Sequence, residues 1–137
     1  MKTTTTIIGL MTAVFTLGSC QESLNEKCAR ECRQYTEKNC PVQIDNHTII
    51  DSLTFEESSH TIHYYYTLTG IADSVGLLSH EEARKALIDQ LRNTTMMRVY
   101  KEEGFNFAYT YHSQKHPEFV HVEVILTPKD YASQTDK

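Results

Sequence analysis

Three cysteines and a histidine crowd the start of the chain: Cys28, Cys32, Cys40 and His47, spaced C-x3-C-x7-C-x6-H. Thiolate and imidazole are zinc ligands, but structural zinc sites combine two close ligand pairs, and here only Cys28 and Cys32 form one. The spacing also lacks the C-x-x-C of thioredoxin-like redox centres. A buried thiol is otherwise a small apolar group, and Cys28 fits that role. Seven histidines supply a second kind of chemistry. His60 and His63 flank one expected turn, His112 and His116 another, and His121 follows. Imidazoles ligate metal ions and gain charge toward pH 6. Residues three apart on a strand point to opposite faces, so His60 and His63 do not readily share a ligand. His112 and His121 fall on neighbouring strands, on the face away from the apolar rows, with Glu123 nearby.

Ten of the thirteen aromatic residues fall between Phe55 and Phe119. In Tyr64-Tyr65-Tyr66, alternation sends Tyr64 and Tyr66 to the core and Tyr65 outward. Exposed tyrosine beside threonine and histidine suits contact with protein or carbohydrate. Tyr65, His63, His112 and His121 are therefore the candidate binding face. Nothing selects a catalytic group. There is no G-x-S-x-G elbow, no H-E-x-x-H helix and no phosphate-cradling glycine loop. Most of the carboxylates that might work in pairs (Asp51, Glu56, Glu57, Glu81, Glu82, Glu102, Glu103) fall in turns or first helical turns, where acids are expected anyway. The expectation is a non-catalytic binding module without cofactor or metal centre. The alternative is a metal- or redox-linked sensor using Cys28, Cys32, Cys40 and the histidines.

The elements that must position these residues follow from periodicity and punctuation. Ser23 with Glu26 is a capping box. Leu24, Cys28, Cys32 and Tyr35 then mark one face of a helix over roughly 24–38, ended by Asn39-Cys40-Pro41. Thr48–Phe55 is extended and β-branched, Glu57-Ser58-Ser59 is a turn, and Ile62, Tyr64, Tyr66 and Leu68 alternate with polar or outward residues up to Gly70. Ser79 with Glu82 is a second capping box, and Ala83, Ala86, Leu87 and Leu91 stripe a helix over about 80–92. Three strands are expected after it: Met96–Glu102, turning at Glu103-Gly104; Phe105–His112, turning at Gln114–Pro117; and Val120–Leu126. The order α-β-β-α-β-β-β, with short turns joining neighbours, predicts an α+β fold. Its antiparallel sheet of about five strands packs on two helices.

The chain has 137 residues, 39% of them hydrophobic and 23% charged, with a formal net charge of −5. That is enough for one globular domain and not for two. The acidic balance without a basic block argues against nucleic acid or attraction to anionic lipid. Residues 1–20 are different in kind. Lys2 gives a short positive region, Ile7–Leu17 is mostly apolar, and small residues precede Cys20. That apolar run is shorter than the roughly 20 residues a membrane span needs.

Leu17-Gly18-Ser19-Cys20 resembles the lipobox of bacterial lipoproteins. The resemblance implies diacylglycerol transfer to the Cys20 thiol, cleavage before Cys20 and acylation of the new amino terminus. The domains are then a signal peptide, 1–19, and one mature α+β domain, 20–137, tethered to the membrane through Cys20. Gln21 rather than Asp after the cysteine implies the outer membrane of a Gram-negative cell. That compartment is oxidising, so a disulfide is expected among Cys28, Cys32 and Cys40. Three thiols allow three pairings; Cys28 and Cys32 lie side by side on one helix face, and Cys32–Cys40 closes the shorter loop. Nothing in residues 21–137 carries a resemblance to a named family, and the ligand, protein or glycan, is not specified by the sequence.

Overall fold

The structure is a computed structural model that describes residues 21–74 and 79–132. The leader, Cys20 and residues 133–137 of the polar tail lie outside the described residues. The elements run α1 (Leu24–Asn39), β1 (Val42–Asp45), β2 (Thr48–Glu56), β3 (Thr61–Leu68), α2 (Gly70–Ser74), α3 (His80–Asn93), α4 (Arg98–Glu102), β4 (Asn106–Ser113), β5 (Val120–Leu126) and α5 (Pro128–Tyr131). The five strands form one sheet in the order β1-β2-β3-β4-β5. Its helix-side face carries the core, in which Phe107 and Leu126 are fully buried and Ile62 and Val124 almost so. Each such side chain stabilises the fold by about 1.5–3 kcal/mol. No helix of the described residues is long and apolar enough to cross a membrane.

Both long helices begin as their capping boxes dictate. The Ser23 hydroxyl accepts from the Glu26 N–H at 3.1 Å and the Glu26 carboxylate accepts from the Ser23 N–H at 3.3 Å. Ser79 and Glu82 do the same at 3.2 and 3.0 Å. The β2–β3 hairpin also forms where alternation placed it, pairing Leu53 with Tyr64 and Phe55 with Ile62.

Three features differ from the sequence reading. The order is not α-β-β-α-β-β-β, because Met96–Glu102 is no strand: residues 98–102 form α4. The Glu103-Gly104 pair that reads as a hairpin turn is a helix terminus. Gly104, at φ 76°, donates to Lys101 O, and Phe105 N–H reaches back to Tyr100 O at 3.0 Å. That is the paired bonding of a Schellman motif, in which glycine occupies the left-handed position without a Cβ clash. Second, the fifth strand is β1, whose four residues are all exposed and so show no alternation. Third, the sheet is mixed. Removing the expected strand at 96–102 leaves β4 to pair in parallel with β3, Tyr64 beside Tyr109 and Tyr66 beside Tyr111. A parallel pair needs a crossover, supplied here by α2, α3 and α4. Among the described residues the helices therefore number five rather than two.

Side chains finish what the backbone leaves open. The Thr36 hydroxyl of α1 donates to Leu53 O and accepts from Leu53 N–H, both at 2.9 Å, satisfying β2 beyond the reach of short β1. At the far edge, His80 and Arg84 of α3 donate to the β5 carbonyls of Glu123 and Ile125, at 2.9 and 3.1 Å. The Lys101 ammonium caps the C-terminus of α3, donating to Leu91 O and Thr94 O at 2.7 Å each and to Arg92 O at 3.3 Å.

Candidate functional site

The parallel β3–β4 pairing sets four tyrosines side by side on the helix-facing side of the sheet. Tyr64 stacks on Tyr109 with ring centroids 5.1 Å apart, and Tyr66 on Tyr111 at 4.7 Å. Along β3, the Tyr64 and Tyr66 rings are parallel to within 4° and 6.2 Å apart. Helix α1 packs over β2 and α3 over β5, so the two central strands are floored with tyrosine and open between the helices. A cavity of about 600 Å³ lies there, walled by Cys28 and Cys32 of α1, Ile50 and Leu53 of β2, Leu91 of α3, and Met97 and Tyr100. A second, of about 550 Å³, lies beyond Tyr111 and Leu68, walled by Ala83, Leu87, His121, Val122 and the β1–β2 turn at Asp45–Thr48. Gln90 borders both. The two cavities are the separate lobes of a helix-side cleft, the first reaching Ile62 and the second Leu68 of β3.

The floor is chemically unusual. Tyr66 and Tyr109 are only 7% and 6% exposed. Among the described residues, the hydroxyls of Tyr64, Tyr66, Tyr109 and Tyr111 have no hydrogen-bond partner. The Tyr100 hydroxyl, by contrast, donates to Glu31 at 2.6 Å, and that of Tyr131 to Phe105 O at 2.7 Å. No described side-chain oxygen is both sealed from solvent and unpartnered, so the four phenol oxygens retain contact with solvent. Burial raises all four pKa values, reinforced by neighbouring phenols at Tyr64, Tyr66 and Tyr109 and by the Asp45 charge at Tyr111, whose pKa rises to about 12. These groups are neutral donors at any physiological pH. In the wall, the Cys28 thiol is held up by its bond to Cys32 and by burial, while Cys32 is lowered by accepting that bond.

Cys28, Cys32 and Cys40 are all free thiols, so the Cys32–Cys40 bridge expected from the sequence is not formed in this structure. Cys32 turns toward Cys28 and the cleft, whereas Cys40 lies past the end of α1. His47 sits in the β1–β2 turn with its ring against Gly70. Among the described residues, no three His, Cys, Asp or Glu side chains come together as a metal site.

The structure unites three members of the expected binding face and removes the fourth. On the open side of the sheet Tyr65 stacks between His63, at 4.0 Å, and His112, at 6.5 Å. The Thr110 hydroxyl donates to Glu123 at 3.0 Å and so accepts from His63 Nε2 at 2.7 Å. Burial lowers the His63 pKa. The polar groups of this row are thus largely engaged with one another. His121 departs because the β4–β5 register shifts between Tyr111 and His112. It lines the helix-side cleft and bonds the buried Asp73 of α2 at 2.8 Å. His112 and His121 do not converge. The Asp73 carboxylate is held well below its usual range by the Ser113 hydroxyl, by His121 and by the Lys115 N–H.

The missed residues are the tyrosines of the inner sheet face, of which alternation assigned Tyr64 and Tyr66 to the core. Their signal was available: four phenols at core positions bring four hydroxyls that a packed interior must satisfy, and nothing in the pattern offers partners.

The architecture is α+β, a five-stranded mixed sheet covered on one face by helices. It is similar to a protein of Pseudomonas aeruginosa described as secreted, with a TM-score of 0.63 at 12% identity, over 80% of this chain and 97% of that one. It is also similar to EpsS, the pilotin of the Vibrio vulnificus type 2 secretion system, with a TM-score of 0.61 at 7% identity, over 79% and 91%. At such identities the likeness is one of fold. Residues 23–120 match a family described as a domain of unknown function, DUF8479, and the chain belongs to that family. No curated protein matches it.

Proposed function

We propose that the protein is a non-catalytic, lipid-anchored module of the bacterial outer membrane that holds a protein partner in the tyrosine-floored cleft. The observation that carries this reading is the set of four neutral, unpartnered phenol donors under apolar walls. An occupant that displaces water from these donors must supply acceptors in its place, which selects a partner with polar groups among apolar ones. The fold shared with a type 2 secretion pilotin supports an envelope setting and a protein partner. The lipobox-like Leu17-Gly18-Ser19-Cys20 supports the anchor. Two or more acyl chains on Cys20 would make attachment stable, where one would be marginal.

Two measurements test the proposal. Cys20→Ser is expected to abolish lipidation and release the protein from membranes; a variant that still fractionates as the mature membrane-bound form refutes the anchor. A photo-crosslinking residue at Gln90, in the cleft, is expected to give a protein adduct in cells. The same residue at Tyr65, on the open face, is expected to give none. Adducts from position 65 alone would return the binding site to the Tyr65–His63–His112 row.

A further inference from the structure

We infer that the wall of the first cavity is a soft-metal site, in which the Cys28 and Cys32 sulfurs and the Met97 thioether take up one monovalent copper ion. The first argument is where sulfur lies. Among the described residues five side chains carry it: Cys28, Cys32, Cys40, Met96 and Met97. Four of them line this one cavity, and only Cys40 does not. The cysteines reach it from α1 and the methionines from the turn that precedes α4. The second argument is the thiol pair. Residues four apart on a helix hold their Cβ atoms about 5–6 Å apart on one face. Side-by-side Cβ directions resist an S–S bond but let both sulfurs face one ion. Here the two thiols already share a hydrogen bond. They are 1% and 4% exposed, so water competes little for the ion. The third argument is the kind of donor. Structural zinc centres use four thiolate, imidazole or carboxylate ligands, and iron–sulfur clusters four thiolates. No histidine lines this cavity, and its one carboxylate, Glu31, is bonded by the Tyr100 hydroxyl. Two thiolates with a thioether select Cu(I) instead. Met97 is half-buried against the core, and its flexible side chain can turn the sulfur toward the pair. Met96, 85% exposed, stands at the rim, a first contact for an arriving ion. Each thiol gives up its proton to water as its sulfur bonds the ion, so the site ends with one net negative charge and no electron is exchanged. The site does not depend on the protein partner proposed above.

The test uses the full chain carrying Cys20→Ser, purified under reducing, oxygen-free conditions, with Cu(I) supplied from a coloured chelator that competes for it. One ion per chain is expected, and X-ray absorption at the copper edge should show sulfur ligands only. Cys28→Ala and Cys32→Ala should each weaken binding at least about 100-fold, and Met97→Leu, which nearly keeps the volume, about tenfold. Cys40→Ser should leave the affinity unchanged. Melting curves establish that each variant folds, and the absorption spectrum of the unsubstituted site needs no variant. Failure to take Cu(I) from the chelator, nitrogen or oxygen ligands in the spectrum, or tighter binding of Zn(II) than of Cu(I) overturns the site. So does affinity that survives either alanine variant or Met97→Leu, or that falls with Cys40→Ser. A chain that takes up Cu(I) but gives no protein adduct at Gln90 keeps this site and loses the partner; the reverse result loses this site alone.

Discussion

Removing the Lys101 ammonium tests whether the wall of the cleft is held by a single charge. Lys101→Met keeps the apolar stem and deletes the group that donates to Leu91 O, Arg92 O and Thr94 O. Three carbonyls share one charge, so the bonds are not summed. A hydrogen bond to a charged group contributes about 1.5–3 kcal/mol, and a cation at a helix C-terminus about 0.3–1 kcal/mol, which describes partly the same interaction. The Arg92 carbonyl is exposed and regains water at little cost. About 2 kcal/mol is the resulting loss. A domain of about 110 residues has an unfolding entropy near 0.23 kcal/mol/K, so Tm should fall by about 9 °C. Thermal unfolding followed by circular dichroism reads this directly. Lys101→Arg retains the charge and should recover part of the loss. A fall of less than about 2 °C in a cooperatively folding variant would refute the cap, and with it the idea that α4 braces α3 through this side chain.

Two further outcomes follow from other clips. Thr36→Val leaves both backbone groups of Leu53 unpaired in a half-buried position and should cost about 1–3 kcal/mol, while Thr36→Ser should restore most of it; urea titration measures both. Asp73 has a lowered folded pKa, so its contribution is complete above its ordinary value of 3.8 and is lost as pH falls through the folded value. Asp73→Asn should therefore melt below the wild type at pH 7, with the gap closing below about pH 4. A gap that stays constant to pH 2 would assign the loss to shape rather than charge.

What the sequence revealed depended on whether an element carried its own local signal. α1 and α3 announce themselves through capping boxes and apolar stripes, and the β2–β3 hairpin through strict alternation. β1 has no such pattern because neither of its faces is buried. α4 was masked by Val99 and Tyr100, residues favoured in strands, and by a glycine that ends a helix as readily as it turns a hairpin. Pairing β3 with β4 is a property of the whole chain, since thirty-odd residues of crossover decide it. The cleft inherits that difficulty: Tyr64 and Tyr66 were placed correctly on the inner face, yet only the seating of α1 over β2 and α3 over β5 leaves a cavity above them.

The two borders of the sheet have unequal fates. β5 has carbonyls of Glu123 and Ile125 already occupied by His80 and Arg84, while among the described residues the exposed β1 pairs with no strand but β2. The protein can therefore template further strands in one direction only. Two copies meeting through β1 would consume each other's single free border, and growth would stop at the pair. Strand-by-strand polymerisation needs two open borders on each copy, and this asymmetry makes the domain a chain terminator by construction.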